Sequence, residues 1–468
     1  MSRTESRLAL TTQSSPFEVL FRGDLVVYIM SFFLVTLLFK PRWTASSSID
    51  DELIEFSSNA DASIYRQLIF IALFLTTVVL YLAKRGVRMP RTISLLQLAT
   101  ISWMLVSFSW SDQPAIAFRR AVLMAMVALI AALLLDVMGV KKAFKTLYLT
   151  FSLCIFLSYL SLPLPYGIHP GDEIDVALIG NWKGIFFHKN IAGAVMGAAV
   201  IFFFYVFLIK RRWRDLGMLA LAALFLYKTQ SKTPHNLLIP SLACGLTYWY
   251  FCRNRNGRPA FLIGAYMAVG LLALIVTMNW DVVERVFNDP QSFSGRVAIW
   301  EVAVRYIIDN PWLGAGFNSF WGVHSADYVT SRFTLAVGHA HSGYIEVLAT
   351  TGIIGLGLAV CASILAPIRQ ILFAPSYYAP TYAMLASLMF FFIFENFFEA
   401  QFYNIDKEAW SILMITVFIT RLAYVETQAE VHAERLEYKR RGRIQTKFAR
   451  KVGAGNSAGV HPGARTVG

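Results

Sequence analysis

Twelve long apolar runs constrain what this chain can fold into, because a run of this length and composition can cross a lipid bilayer as a helix. With 56% hydrophobic and only 15% charged residues among 468, the chain differs from soluble domains of similar size. The runs are continuous and rich in Leu, Ala, Phe and Ile, which excludes the short alternating strands of an outer-membrane barrel. They cover residues 24–39, 67–83, 93–110, 116–138, 143–162, 188–209, 216–230, 234–252, 260–280, 343–367, 380–397 and 408–422. We therefore predict an all-α integral membrane protein with about twelve transmembrane helices.

The basic residues are distributed unevenly between the two sides of the predicted bundle. The N-terminus and the segments on its side hold 28 of the 42 Lys and Arg residues, whereas the other side holds 14 over longer loops. Because positive charge is retained on the cytoplasmic side during insertion, both termini are predicted to be cytoplasmic. This pattern and the basic tail at 438–451 account for the net charge of +13 without nucleic acid, and the tail is expected to be solvated or to bind lipid headgroups.

The predicted spans divide the chain into five parts. The largest outside loop contains a predicted helix over 295–309, capped by Ser294, and a Gly-rich segment at 312–321 that forms turns. The four cysteines fall in or at the ends of predicted spans, which indicates no disulfide framework. The parts are a cytoplasmic N-terminus (1–23), helices 1–9 with an acidic outside loop at 40–66 (24–280), the large outside loop (281–340), helices 10–12 (341–422) and a basic cytoplasmic tail (423–468).

Several basic residues lie on the outside near the ends of predicted spans, where insertion energetics disfavour positive charge. As a set they favour a phosphate-bearing ligand at the membrane boundary, because Lys and Arg are the usual partners of phosphate groups. The alternative is that each side chain extends separately to the lipid headgroups. The set comprises Arg119, Arg120, Lys183, Lys189, Lys228, Lys232, Arg296 and Arg305.

The segment "HAHSGYIEVLATTG" at 339–352 carries two of the eight histidines at the start of a predicted span. An imidazole can accept a proton near neutral pH, so His341 is a candidate general base. The alternative is a structural polar residue at headgroup level. Glu346 lies about 140° round a helix from His341, which is a poor position from which to orient its ring.

The pattern His-Ser-x-x-Ile, followed by Gly seven positions later, is similar to a signature of the bacterial O-antigen ligase and exopolysaccharide polymerase superfamily. It is formed here by His341, Ser342, Ile345 and Gly352. The resemblance covers most of residues 95–360 in order. Its other segments are "WSDQPAIAFRR" (110–120), "GIFFHKNIAG" (184–193), "SKTPHNLL" (231–238) and "SGRVAIW…NPWLGAGFNSF" (294–320).

The resemblance implies a twelve-helix inner-membrane protein with a large periplasmic loop. It further implies transfer of a glycan from a polyprenyl-diphosphate carrier to an acceptor hydroxyl without metal. By position, His341 corresponds to the base or acceptor-activating residue and Arg296 to the residue that binds the diphosphate. Lys232 stands where ligases commonly have arginine, so the charge is kept but the bidentate geometry is lost. We expect Arg305, Arg119, Arg120 and Lys189 to add to the diphosphate site.

We therefore predict an exopolysaccharide polymerase that acts on lipid-linked repeat units at the periplasmic face, without a metal or other cofactor. Nucleotide sugars are cytoplasmic, so an outside transferase needs a donor that is delivered on a lipid. The sequence "DEID" at 172–175 lacks the Asp-x-Asp spacing suited to holding a metal on a sugar nucleotide. The expected partners are the lipid-linked donor and acceptor, membrane lipids, a chain-length regulator and export machinery. Two alternatives remain: an O-antigen ligase that uses lipid A-core as acceptor, and a non-enzymatic flippase or permease for lipid-linked glycans.

Overall fold

A computed structural model describes residues 25–38, 63–169, 178–253, 257–288, 296–321, 339–404 and 407–456. These residues are helical or irregular, apart from one isolated antiparallel bridge between Ile168 and Trp182. The α-helices are α1 (Leu25–Leu38), α2 (Ser63–Arg85), α3 (Leu95–Val106), α4 (Pro114–Ser161), α5 (Lys189–Lys210), α6 (Trp213–Thr229), α7 (Lys232–Cys252), α8 (Arg258–Met278), α9 (Trp280–Asn288), α10 (Arg296–Asp309), α11 (Gly343–Val360), α12 (Ala366–Leu372), α13 (Ala379–Glu395) and α14 (Glu408–Asn456).

Seven helical stretches among the described residues are long and apolar enough to cross a membrane. They are Gln67–Arg85, Pro114–Ser161, Lys189–Lys210, Arg258–Met278, Gly343–Leu372, Ser376–Glu395 and Glu408–Tyr438. Two shorter apolar helices, Val26–Leu38 and Leu95–Trp110, accompany them. An all-helical protein with membrane-spanning helices is thereby confirmed, whereas the count of twelve and the large periplasmic loop stay predictions. Most of the acidic loop, the "DEID" segment, Ser294 and much of the large loop lie outside the described residues.

The longest apolar helix, α4, is broken at Gly139, whose φ of 74° and ψ of 167° are not helical. The break separates the two apolar runs that the sequence predicts in this region. Next to it, Val140 N donates to Glu426 Oε2 of α14 at 3.4 Å. Arg91 joins the two helices, with its Nε 2.5 Å from Asp136 Oδ1 and its Nη1 3.3 Å from Glu426 Oε1. Ion pairs therefore hold α14 against the broken end of α4.

Helix α14 continues past residue 422, where the last predicted span ends, and reaches Asn456. The sequence contains neither Gly nor Pro between residues 408 and 441, so nothing in the backbone interrupts the helix there. The candidate membrane-spanning part of this helix ends at Tyr438. The basic tail thus begins as a direct extension of a membrane helix.

Small residues let the helices α5, α7 and α13 approach closely. A Cβ atom on Gly245 of α7 would lie 2.1 Å from Ser387 Oγ and 2.4 Å from the Ala383 carbonyl oxygen of α13. Tyr205 of α5 bonds to the same Ser387 hydroxyl at 3.0 Å. Close packing of this kind stabilises helix pairs in lipid, where apolar burial alone adds little. The three helices therefore pack closely against one another.

Helix α11 carries the second half of the histidine motif and is broken at the glycine of that motif. Gly352 has a φ of 68° and a ψ of −176°, a conformation that residues with a side chain rarely adopt. A Cβ atom at this position would lie 2.0 Å from the Trp312 carbonyl oxygen. The motif therefore needs glycine here for both its backbone conformation and the close approach of Trp312.

The break gives the Gly-rich segment of the large loop a place to bind. Ile353 N donates to the Pro311 carbonyl oxygen at 2.8 Å, just beyond the break. Ala315 N donates to the Ala349 carbonyl oxygen at 3.0 Å, just before it. The segment is therefore joined to α11 by backbone hydrogen bonds on both sides of Gly352.

We expect Gly352→Ala to destabilise the protein by about 1–3 kcal/mol through backbone strain, with a further loss from the clash with Trp312. Gly357→Ala is the matched control, because Gly357 lies on the same helix and its Cβ would meet no atom within 4 Å. Thermal unfolding of the purified protein in detergent measures both changes. Equal melting temperatures for the two variants would contradict the need for glycine at 352.

Candidate functional site

The turn at residues 396–399 follows α13 and lies where other helices begin. The N–H of Gly343, the first residue of α11, donates to the carbonyl oxygens of Asn396 at 2.8 Å and Glu399 at 3.1 Å. Arg296, the first residue of α10, donates from Nη2 to Glu399 Oε1 at 2.9 Å. The 396–399 turn therefore holds the start of α10 against the start of α11.

The same carboxylate oxygen is connected to α5 and, through α5, to α7. Asn190 Nδ2, in the first turn of α5, donates to Glu399 Oε1 at 3.1 Å. Ser231 Oγ donates to Asn190 Oδ1 at 2.9 Å, and Ser231 directly precedes Lys232, the first residue of α7. Four of the described helices thus begin within one hydrogen-bonded network. Because each helix N-terminus carries partial positive charge, their convergence favours an anion.

His341 lies beside this convergence, two residues before α11 begins. Its φ of 48° is in the left-handed region, and its N–H donates to His339 Nδ1 at 3.3 Å. The two imidazole rings have centroids 4.1 Å apart. Within the described part of the chain, Nδ1 of His341 is buried without a hydrogen-bond partner. Therefore no hydrogen bond at Nδ1 fixes which ring nitrogen of His341 carries the proton.

The backbone that leads into His341 is held from two sides. Ala340 N donates to Glu346 Oε2 at 2.8 Å, and the Ala340 carbonyl oxygen accepts from Trp300 Nε1 at 2.8 Å. Trp321 Nε1 also donates to Glu346 Oε2 at 2.8 Å. Glu346 therefore binds the backbone N–H of Ala340, the residue before His341. Trp300 of α10 binds the carbonyl oxygen of the same residue.

Three histidines near the site are uncharged at neutral pH. Burial lowers the pKa of His341 to about 3, and the positive charges of Arg296 and Lys407 act in the same direction. Burial, with the charge of Lys189 next in weight, lowers the pKa of His188 to about 3. Burial also lowers the pKa of His339 well below its usual value. The site therefore derives its positive charge from Lys and Arg and from the helix N-termini.

The structure brings together some of the predicted basic residues. Arg296 is in the network itself, at the start of α10. Lys189 and Lys232 are the first residues of α5 and α7. The neighbouring residues Asn190 and Ser231 connect these two helix starts to the network. Lys189 is half-buried and Lys232 is exposed. These three residues surround the same group of helix starts.

Three other predicted residues are engaged differently. Arg305 pairs with Glu301 of its own helix at the surface, where its side chain is 49% exposed. It lies nine residues after Arg296, which at about 100° per residue puts the two on opposite faces of α10. Arg120 donates to the Asn318 carbonyl oxygen of the Gly-rich segment. Arg119 is the half-buried neighbour of Arg120 in the first turns of α4.

Sequence reasoning missed four residues that the structure brings to the site: His188, Asn190, Glu399 and Lys407. His188 caps α5, accepting at Nδ1 from Asn190 N at 3.2 Å. Lys407 is close enough to lower the pKa of His188, His339 and His341. The sequence carried a signal for both residues. His188 lies in the motif "GIFFHKNIAG", and Lys407 lies in the outside loop that follows the predicted span 380–397.

No group of three or more His, Cys, Asp or Glu side chains is arranged to hold a metal ion in the residues that the structure describes. The acidic residue in the network, Glu399, is engaged by Arg296 and Asn190. Metal-independent chemistry stays a prediction.

The apolar helices and the cationic cluster at their ends define a multi-pass helical membrane protein with a candidate anion site. Comparison with known proteins shows which families this chain resembles. A sequence model of the family described as O-antigen ligase matches residues 217–360, which include Lys232, Arg296 and His341. This match covers the chain from α6 to the end of α11.

The chain is also similar to the exopolysaccharide production protein ExoQ of Rhizobium meliloti (strain 1021). The two are 21% identical over 264 residues, which are 54% of this chain and 59% of that protein. The chain therefore aligns with less than two thirds of that relative. Together the two matches confirm the predicted resemblance to the O-antigen ligase and exopolysaccharide polymerase superfamily.

The lowered pKa values predict an acid-sensitive fold. Histidines of the unfolded chain take up protons near pH 6.5, whereas His188 and His341 stay neutral in the folded state down to about pH 3. Stability is therefore full above pH 6.5 and declines as the pH falls toward 3. We expect the melting temperature to fall between pH 7.5 and pH 5, and His341→Asn to reduce this slope. His432→Asn, at an exposed position on α14, is the control. If the melting temperature of His341→Asn fell with pH as steeply as that of the wild type, the lowered pKa of His341 would be refuted.

Proposed function

We propose that the protein is an inner-membrane glycosyltransferase that polymerises polyprenyl-diphosphate-linked oligosaccharide repeat units at the periplasmic face. The observation that carries this proposal is the convergence of four helix N-termini and Arg296 beside His341. In this proposal, twelve helices cross the membrane, both termini are cytoplasmic and the large loop at 281–340 is periplasmic. The resemblance to the ligase and polymerase superfamily supports the same assignment.

The diphosphate of the lipid-linked donor binds at the helix starts. Arg296, Lys232, Lys189 and Lys407 supply positive charge, and the N-termini of α5, α7, α10 and α11 add their partial charges. Lys189, Lys407 and the N-terminus of α11 lie at or next to the starts of candidate membrane spans, where a lipid headgroup would lie. The donor therefore keeps its polyprenyl chain in the bilayer while its diphosphate reaches the site.

The transfer step forms one bond and breaks one bond at the anomeric carbon of the donor sugar. The hydroxyl oxygen of the acceptor attacks this carbon, and the bond to the diphosphate oxygen breaks with its electron pair. The hydroxyl proton passes to His341, which acts as the general base. The basic residues stabilise the negative charge that develops on the departing polyprenyl diphosphate.

Proton transfer to His341 follows donor binding. Burial and the charges of Arg296 and Lys407 keep the pKa of His341 at about 3, which is too low for an effective base at neutral pH. A bound diphosphate offsets those charges and raises the pKa of His341. The substrate therefore offsets the electrostatic part of the shift, whereas burial, its largest cause, remains.

We expect His341→Ala to lower the rate of glycan transfer by about 100-fold or more, the usual contribution of a general base. The assay uses purified protein in liposomes with polyprenyl-diphosphate-linked repeat units and no added metal. His432→Ala on α14 is the control histidine and should retain the wild-type rate. Full activity of His341→Ala would rule out its role as base.

An O-antigen ligase is the second candidate, and the match of residues 217–360 to the family described as O-antigen ligase favours it. The two functions share the chemistry and differ in the acceptor. A polymerase extends a lipid-linked glycan, in concert with a chain-length regulator and export machinery, whereas a ligase transfers the glycan to lipid A-core.

The acceptor distinguishes these functions. With lipid-linked repeat units alone, a polymerase produces longer lipid-linked chains, which gel electrophoresis of the extracted glycans resolves. If chains do not lengthen but glycan appears on added lipid A-core, the ligase assignment replaces the polymerase. Failure with both acceptors would favour transport of lipid-linked glycans.

A further inference from the structure

The carboxylate of Glu399 stands at the centre of a site that otherwise attracts anions. We propose that Glu399 is a positioning residue that presents the Arg296 guanidinium to the diphosphate of the lipid-linked donor. This inference rests on the proposed function, because it assigns a role within the donor site.

The guanidinium of Arg296 is held from one side by the 396–399 turn. Its Nη1 donates to the Phe398 carbonyl oxygen and its Nη2 donates to Glu399 Oε1 at 2.9 Å. Arginine has five N–H donors in a rigid plane, so fixing two of them orients the remaining ones. The Arg296 and Glu399 side chains are only 16% and 15% exposed, which restricts alternative rotamers. Arg296 therefore has a defined direction in which to meet a ligand.

Glu399 also sets the location of Arg296 relative to the other cationic groups. Its Oε1 accepts from Asn190 Nδ2 at 3.1 Å, in the helical turn that begins with Lys189. Asn190 in turn accepts from Ser231, the residue before Lys232. One carboxylate oxygen thus aligns the guanidinium with the starts of α5 and α7, where the neighbouring lysines are.

The charge of Glu399 allows two effects on diphosphate binding to be distinguished, namely positioning of Arg296 and simple repulsion of the anion. A carboxylate near an anion site repels the anion, so removing a carboxylate that served no other purpose would strengthen diphosphate binding. A partly buried ion pair also adds little net stability over an apolar pair of similar size. If Glu399 positions Arg296, its removal weakens binding instead. The two explanations predict changes of opposite sign.

The test measures binding of farnesyl diphosphate to the purified full-length protein in detergent by calorimetry, with farnesol as the phosphate-free control. We expect Glu399→Ala to weaken farnesyl diphosphate binding about tenfold, comparable to the loss of a charge-assisted hydrogen bond. Glu399→Gln keeps the acceptor oxygen and loses the charge, so its affinity should equal or exceed that of the wild type. Farnesol binding should not change in either variant.

A double-mutant cycle tests whether Glu399 acts through Arg296. Arg296→Ala alone should weaken binding, and adding Glu399→Ala to it should cause no further loss. Glu399→Ala binding as tightly as the wild type, or more tightly, would overturn the proposal, as would additive losses in the cycle. If Glu399→Ala does not fold, Glu399→Asp keeps the charge but shortens the side chain. Positioning then predicts weaker binding, whereas wild-type affinity in that variant would overturn the proposal.

Measurements of diphosphate binding and of glycan transfer test the role of Glu399 and the proposed function separately. Weaker binding in Glu399→Ala, together with an inactive wild type, would support the positioning role and refute the transferase. An active wild type whose Glu399→Ala variant binds normally would refute the positioning role alone.

Discussion

The organisation of the site depends on the ion pair between Arg296 and Glu399. A single carboxylate oxygen accepts from Arg296 at the start of α10 and from Asn190 in the first turn of α5. The backbone of the same turn accepts from Gly343 at the start of α11. Helices that are far apart in the chain therefore begin at one point. Their dipoles add because they begin there, and an anion bound at that point would interact with several positive ends at once.

A second constraint joins the large loop to the bundle. The break of α11 at Gly352 leaves backbone groups to which the Gly-rich segment binds, through Ile353 on one side and Ala349 on the other. Trp300 of α10 donates to the peptide that precedes His341. The histidine and Arg296 are thus held by loop and membrane helices together. Such an arrangement suits the proposed reaction between a lipid-anchored donor and an acceptor that enters from outside the membrane.

Much of the fold could be predicted, because a bilayer tolerates few arrangements of an apolar chain. Every apolar run in the described residues is helical, and the break of α4 at Gly139 falls between two predicted runs. The boundary position of His341, the outside position of Arg296 and the family resemblance singled out these two residues, and both lie where the helix starts converge. Arg305 shares a helix with Arg296 and was selected for its charge alone. On the folded helix it lies on the opposite face and pairs with Glu301.

The sequence by itself determined the helical class, the candidate spans and the motif residues, since hydropathy and local spacing are properties of neighbouring residues. The tertiary structure decided which distant residues share the site. Glu399 lies 103 residues from Arg296 and 209 from Asn190, and nothing local distinguishes it from other acidic residues at the end of a helix. Its role arises because four helix starts and one turn are joined in space. Hydrogen bonds over such separations are created by packing, which a linear pattern does not encode.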